Sequence, residues 1–481
     1  MILGQILFFI TFSLLSILSI SGLGQLINIK KNNDFFNDFF FGFIIISFLI
    51  TFTHFFFKIN LIVSTSIFCS GLLIGLKNFK IKKMKLKKIY TLNLIIFLAL
   101  LPLYISQKYH EDFGYYHLPY VINVISEKII FGLGNINNAF VHNSLWLNVL
   151  SVFYIKDNYN FVIVPTFLSY VIFIIFSINQ IIKKQEQKIS SLFLIITVFY
   201  LILKFTRLSE FGNDIPSVIF SSLAIYNFFR FQEEIDYKEK REYFFRNLSF
   251  TLFAILIKFS SIPLLILTIY LLLKNYKSLT HELFKINFIL IYLLSVIFFI
   301  QQFIYTGCFI FPSNISCLDV SWFDQNFLNS KNKLELINKS YFATAKGILS
   351  EKEYLENFNW FSYWFKRNFI EISENLATMI IPILLYVSLL KKEKERKIFD
   401  LNIIISFSFF VLIGFLFWLE FSPVYRFGII YFLSVIFLSS LFFYNRKIFS
   451  KKIFLSFILL FLIFNLAKNV DRLSKENNIF I

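Results

Sequence analysis

Apolar runs of about 17 to 25 residues recur from one end of this chain to the other, and each is long enough to cross a hydrocarbon core of roughly 30 Å as a helix. A closed barrel would instead show alternating strands of about ten residues, and these are absent. The pattern therefore predicts an all-α, polytopic membrane protein of about fourteen transmembrane helices. They are expected near residues 3–28, 39–57, 60–76, 89–106, 161–182, 190–206, 216–231, 243–259, 261–275, 283–304, 372–390, 398–418, 427–444 and 452–467. Ser260, Ser261 and Pro263 split the 243–275 stretch into two short helices. The balance of 57% hydrophobic to 16% charged residues excludes an ordinary soluble domain. The N-terminal apolar run has no basic segment before it, so a cleaved signal peptide is not expected.

The formal charge of +18 raises the question of an acidic partner. The lysines, however, collect in short loops between apolar runs, where they act as topology signals. "KNFKIKKMKLKK", Lys77 to Lys88, marks the cytoplasmic side. Alternation then puts "IIKKQEQK", "QEEIDYKEKREYFFR", "KNYKSLTHELFK", "KKEKERK" and "NRK" on that side as well. Residues 107–160, 207–215, 305–371 and 419–426 fall on the outer side, where Pro, Trp, Cys, Asn and the acids concentrate. No basic aromatic groove accompanies the charge, so nucleic acid is not an expected partner. A glycine-rich phosphate loop and a dinucleotide fingerprint are also missing. With no internal repeat and no linker, the chain reads as one integrated membrane domain. It divides into N-terminal helices with a basic loop (1–88), a core (89–444) and a last helix with its tail (445–481).

Four outer segments carry the polar chemistry. "YHEDFGYYHLPY" places Glu111 and Asp112 just past the fourth helix, before an amphipathic helix begun by Pro119. The pair reads either as hydrated loop acids or as carboxylates pulled by Tyr109, Phe113, Tyr115 and Tyr116 into a partly dry place, where one becomes a better base. His117 suggests an ordered turn. "RLSEFGNDIPS" adds Arg207, Glu210 and Asp214, either solvated turn charges or part of a site. "TGCFIFPSNISC" holds Cys308 and Cys317 nine positions apart in an outer loop, where an oxidising compartment favours a disulfide that staples it over a metal site, for which the segment has too few ligands. "WLEFSPVYRFG" sets Arg426 where a helix begins at the membrane surface, a depth at which guanidinium either snorkels or forks onto a lipid phosphate. Lys258, in "LIKFSSIP", is a second such cation. The 305–371 loop is too long to lack structure and is expected to hold short helices around "EKEYLENFNWFSYWFKRNF".

In this order, "HEDFGYYHLPY", "EFGNDIP", "GCFIFPSNISC" and "SPVYRFG" resemble segments of the GT-C superfamily, integral-membrane glycosyltransferases that use polyprenyl-phosphate sugars as donors. The resemblance covers residues 89–444. It implies a GT-C-like core preceded by three extra helices. It also implies Asp112 as catalytic base with Glu111 adjacent, Asp214 as a second acid, and Lys258 and Arg426 facing the donor phosphate. Arg207 and His117 would support substrate binding. The implied activity is inverting transfer of a sugar to an acceptor hydroxyl of a glycan or lipid, at the periplasmic face of a bacterial inner membrane. No cofactor is required, although Glu111, Asp112 and Asp214 would bind Mg²⁺ or Mn²⁺ if they converged. Two other classes share the compartment. A flippase or transporter should carry broken helices and polar groups near the midplane. An O-antigen polymerase or ligase should rely on Arg and His of a large outer loop, where this chain offers Arg367 without a histidine.

Overall fold

The computed structural model describes residues 2–27, 34–78, 87–105, 112–156, 158–184, 188–204, 212–311, 313–323, 326–392, 400–444 and 447–475. Every regular element among them is helical, and each of the fourteen apolar stretches forms a helix. In chain order these are α1 (Ile2–Gly24), α2 (Phe35–His54), α3 (Leu61–Asn78), α4 (Lys87–Ile105), α5 (Val164–Lys184), α6 (Ile189–Lys204) and α7 (Asp214–Glu233). The series continues with α8 (Tyr237–Ile257), α9 (Leu265–Lys274), α10 (Ile286–Thr306), α11 (Asn359–Leu389), α12 (Leu401–Phe421), α13 (Tyr425–Tyr444) and α14 (Lys451–Lys475).

Among the described residues eight helices are long and apolar enough to cross a membrane: α1, α2, α5 and α10 to α14. A ninth span results if α9 and the helix after it, which meet at 118°, count together. The chain is a multi-pass membrane protein. Helices α3, α4 and α6 are apolar but shorter, while α8 opens on the charged stretch "YKEKREYFFR". Large apolar side chains such as Leu7, Leu412, Leu416 and Phe464 stand exposed on α1, α12 and α14, as a lipid-facing surface requires and a watery one does not.

One hydrophobic core runs through the bundle, from Phe9 in α1 to Leu462 in α14. Helix α5 is enclosed along its apolar length. Phenylalanines fill the interior edge to face, as Phe220 meets Phe253 at 4.6 Å. At one corner α1 approaches α2 and α3 through glycine: a Cβ on Gly22 would collide with the Gly71 and Gly75 backbone, and one on Gly42 with Ile20. Lipid offers little hydrophobic drive for helices to associate, so such close backbone contact supplies the attraction.

The structure departs from expectation in the segments expected on the outer side. "NWFSYWFKRNF" is not a separate short helix; it forms the first turns of α11, which continues into the apolar part without a break. The boundary falls earlier, where Asn357 and Phe358 take positive φ of 53° and 60°. Short helices do occupy Asn326–Asn338, Tyr341–Thr344 and Glu351–Leu355. The amphipathic helix Leu118–Ser126 carries Pro119 in its first turn, but a π-helical turn, Phe113–His117, precedes it. The last helix runs to Lys475, eight residues past the expected end at 467.

Candidate active site at one end of the bundle

Four segments distant in sequence meet at one end of the bundle, and a break in a helix organises them. Helix α8 stops at Ile257 because Lys258 is extended (φ −156°, ψ 120°). The Ile257 carbonyl, at a helix end, needs a partner from elsewhere. Ser144 Oγ donates to it at 2.8 Å and Asn213 Nδ2 at 3.2 Å. Those two bonds bring residues 142–144 and the start of α7 to Lys258. Beyond it, the 3₁₀ turn Phe259–Leu264 exposes further carbonyls, and the Tyr431 hydroxyl of α13 donates to that of Ser260. Gly414 leaves room for the Tyr431 ring to reach it.

Asp214 opens α7 and Lys258 follows the end of α8, so each charge lies at the helix terminus of opposite sign. Arg426 occupies the first turn of α13. Its approach is fixed by two indoles: Trp364 Nε1 donates to the Pro423 carbonyl at 2.9 Å and Trp418 Nε1 to that of Val424 at 2.8 Å. Asp112 precedes the π-helical turn, anchored by Phe113, whose buried ring packs against Tyr159 at 5.9 Å.

The four charged groups form a chain of alternating sign. Arg426 Nη2 lies 3.1 Å from Asp112 Oδ2, Arg426 Nε lies 3.5 Å from Asp214 Oδ2, and Asp214 Oδ1 pairs with Lys258 Nζ. Phe427 serves both cations. The Lys258 ammonium is 3.3 Å from its ring centroid, and the Arg426 guanidinium carbon 5.3 Å. Below them Ser217 and Ser221 hydrogen-bond Ser261 at 3.0 and 3.2 Å, giving the cleft a hydroxyl floor. Beside the ion pairs the cleft has room for about one water. Any larger anion must therefore take the place of a carboxylate against the cations.

The expected site residues divide accordingly. Asp112, Asp214, Lys258 and Arg426 come together. His117 is buried within electrostatic reach of Asp214. Cys308 and Cys317 are joined by a disulfide just after α10. Glu111 and Arg207, with His110 and Glu210, lie outside the described residues. Asp112 and Asp214 stand with the Arg426 guanidinium between them, and among the described residues no three potential metal ligands gather; Glu111, the third acid of the expected set, lies outside those residues.

One residue was missed by sequence reading. His142, in "FVHNSLW", is accessible to solvent although protein surrounds it, and its ring lies edge-on to Phe311 of the disulfide loop at 6.0 Å. Burial, and after it the positive charge of Lys258, push its imidazole down to about 4, so it is neutral at physiological pH. The chain on either side is clamped from α10. Gln302 Nε2 donates to the Val141 carbonyl at 2.8 Å, and Asn143 Nδ2 donates to Gln301 Oε1 at 3.1 Å. Only the presence of a third histidine within residues 107–160 hinted at this; the Ser144 to Ile257 bond, which delivers it to Lys258, has no sequence signature.

One known family, described as a domain of unknown function (DUF8201), has a model that matches residues 1–433. The match includes α1 to α3 together with all four charged residues, and it ends within α13, so α14 lies beyond it. No curated protein and no solved structure matches the chain. On the strength of a match over most of its length, the chain belongs to the DUF8201 family.

Proposed function

We propose that the protein is a glycosyltransferase of the GT-C type, moving a sugar from a polyprenyl-phosphate donor to an acceptor hydroxyl at the periplasmic face of a bacterial inner membrane. In this reading all fourteen helices pass through or dip into the bilayer. One observation carries it: Asp112, Asp214, Lys258 and Arg426, drawn from four distant segments, form one chain of ion pairs, and the last three line a single cleft at one end of the bundle.

The chemistry follows from that convergence. The donor brings its own leaving group, so the protein has two tasks: take a proton from the acceptor and hold the phosphate as the anomeric bond breaks. Asp214 keeps Lys258 and Arg426 side by side, preset for an anion. An arriving phosphate engages the guanidinium fork and the ammonium, and Arg426 then releases Asp112. The freed carboxylate accepts the acceptor's hydroxyl proton while that oxygen bonds to the anomeric carbon. The carbon–oxygen bond to phosphate breaks, and its electron pair leaves with polyprenyl phosphate. Attack opposite the leaving group inverts the anomeric centre. Neutral His142, beside Lys258, supplies a hydrogen bond to the sugar. No step calls for a metal ion.

The test uses purified protein in liposomes supplied with radiolabelled polyprenyl-phosphate hexoses and pentoses and with glycan or lipid acceptors. Asp112→Asn should lower transfer by about 10²- to 10⁴-fold with unchanged thermal unfolding; full activity in that variant sinks the assignment. A flippase is the second reading, favoured by the broken helix at Lys258–Leu264 and by the buried polar chain Thr51, Asn148, Gln301 and Tyr305. Movement of the lipid-linked sugar across vesicles without bond transfer would reverse the order.

A further inference from the structure

A second group of cations stands at the same end of the bundle, on α6 and α14. Asn465 of α14, buried, donates through Nδ2 to the Ile202 carbonyl of α6 at 2.6 Å, and Asn469 donates back to Asn465 at 2.8 Å. This amide clamp fixes the two helices against each other just before α6 ends at Lys204. Three residues past Asn465 comes Lys468, and one turn later, on the same face, Arg472. Lys468 feels the positive charge of both Arg472 and Lys204.

Three like charges gathered at half-buried positions repel one another, and among the described residues little offsets them. Glu374, largely exposed, reaches Lys204 at 3.5 Å. Asp471 is engaged by Lys475 at 2.8 Å. Glu371 acts on the hydroxyls of Tyr200 and Tyr425. Among the described residues neither Lys468 nor Arg472 has a carboxylate within ion-pair distance. One turn before Lys468, Ile463 and Phe464 are exposed, continuing the apolar surface of α14 to the edge of the cluster. A group that satisfies both surfaces is an anion attached to a hydrocarbon chain.

We propose that Lys204, Lys468 and Arg472 form a second phosphate-binding site, which takes the phosphate headgroup of an anionic lipid whose chain lies along α14. The site is separate from the cleft at Arg426, yet next to it. Tyr200, one turn before Lys204, meets the hydroxyl of Tyr425 at 3.4 Å, and Tyr425 adjoins Arg426. The guanidinium of Arg472 offers a fork to two phosphate oxygens, and the two ammonium groups supply charge. This inference does not rest on the transferase reading, because it asks for binding alone. It assigns to α14, which lies past the family match, the role of holding a lipid at the flank of the cleft.

The full-length protein in neutral detergent, offered phosphatidylglycerol or phosphatidylcholine and weighed by native mass spectrometry, provides the test. Wild type should retain phosphatidylglycerol in preference, and K468Q/R472Q should weaken that retention by about 30-fold. The charge-conserving K468R/R472K should keep it, which separates loss of charge from loss of fold. A parallel arm adds inorganic phosphate. If phosphate displaces the lipid and binds with the same dependence on Lys468 and Arg472, the site takes free phosphate; if the lipid persists, it takes the headgroup. Equal retention of the two lipids by wild type, or undiminished phosphatidylglycerol on K468Q/R472Q, overturns the proposal.

Discussion

The hairpin of α7 and α8 carries a buried charge cluster at each end, and the two are built on opposite plans. At the lysine-rich end Arg230, almost fully buried, bonds to Glu233 at 3.0 Å, Glu234 at 3.2 Å and the Tyr243 hydroxyl at 3.1 Å. Glu233 in turn caps the start of α6 through the Ser190 amide and hydroxyl at 2.8 and 2.7 Å. Most of these partners are three or four residues apart or sit across one turn, so the cluster assembles with the hairpin itself. At the other end, Asp112 and Arg426 are 314 positions apart, and they meet only when the whole bundle has formed. One cluster is local, closed around a single cation and bonded into a helix cap. The other is long-range, sets two cations against two acids among the described residues, and is open at its side to a cleft. The contrast teaches that buried charge alone does not mark a site; what matters is whether an incoming ion can exchange for a partner already there.

That contrast can be broken by matched substitutions. The largest effect is expected for Arg230→Met, which strands Glu233 and Glu234 at the closed cluster and should cost about 3–5 kcal/mol of stability. Thermal unfolding in detergent would register it, with transfer falling only as the folded fraction falls. Arg426→Lys keeps the charge but loses the fork. Transfer should drop by about 10²-fold, the scale of losing one preorganised donor to developing charge, with a small shift in unfolding; the reverse ranking of Arg230 and Arg426 would erase the distinction drawn between the clusters. Ser144→Ala leaves the Ile257 carbonyl with one donor fewer and should cost about 1–2 kcal/mol, accompanied by a several-fold loss of transfer as His142 and Lys258 drift apart.

The smallest effect concerns pH. Folding lowers the His142 imidazole from 6.5 to about 4, so between those values the unfolded chain holds a proton there that the folded chain does not. Stability should therefore fall as pH falls through that window and level off above about 6.5. Chemical unfolding midpoints for wild type and His142→Gln should keep a constant offset above about pH 6.5 and shift relative to each other below it, with wild type losing more. Parallel curves would show that His142 does not sense its surroundings in this way.

Much of the architecture was legible because helix formation in a chain this apolar is a local matter. Each of fourteen apolar runs became a helix, and Ser260, Ser261 and Pro263 marked the break that became the 3₁₀ turn at Lys258. The start of α11 was not legible, since "NWFSYWFKRNF" has the polarity of a loop and nothing in it signals continuity with the apolar residues that follow. Asp112, Asp214, Lys258 and Arg426 could be singled out as charges at the edges of apolar runs. Their pairing could not, nor could the place of His142, because both depend on carbonyls freed at a helix break and answered by Ser144 and Asn213. The basic end of α14 was cut short in the sequence reading, for Lys468 and Arg472 look like a solvated tail until Asn465 grips α6.

By itself the sequence determined that this chain lives in a bilayer as a set of helices, because lipid leaves an unpaired backbone no other partner than itself. It also determined which polar segments lie at helix ends. The tertiary structure alone decided which charges meet. A charge in a low-dielectric surrounding must find a counter-charge within a few ångströms, and packing fixes that distance: it gave Arg230 its partners within one hairpin, and gave Arg426 carboxylates from segments that no spacing in the chain connects.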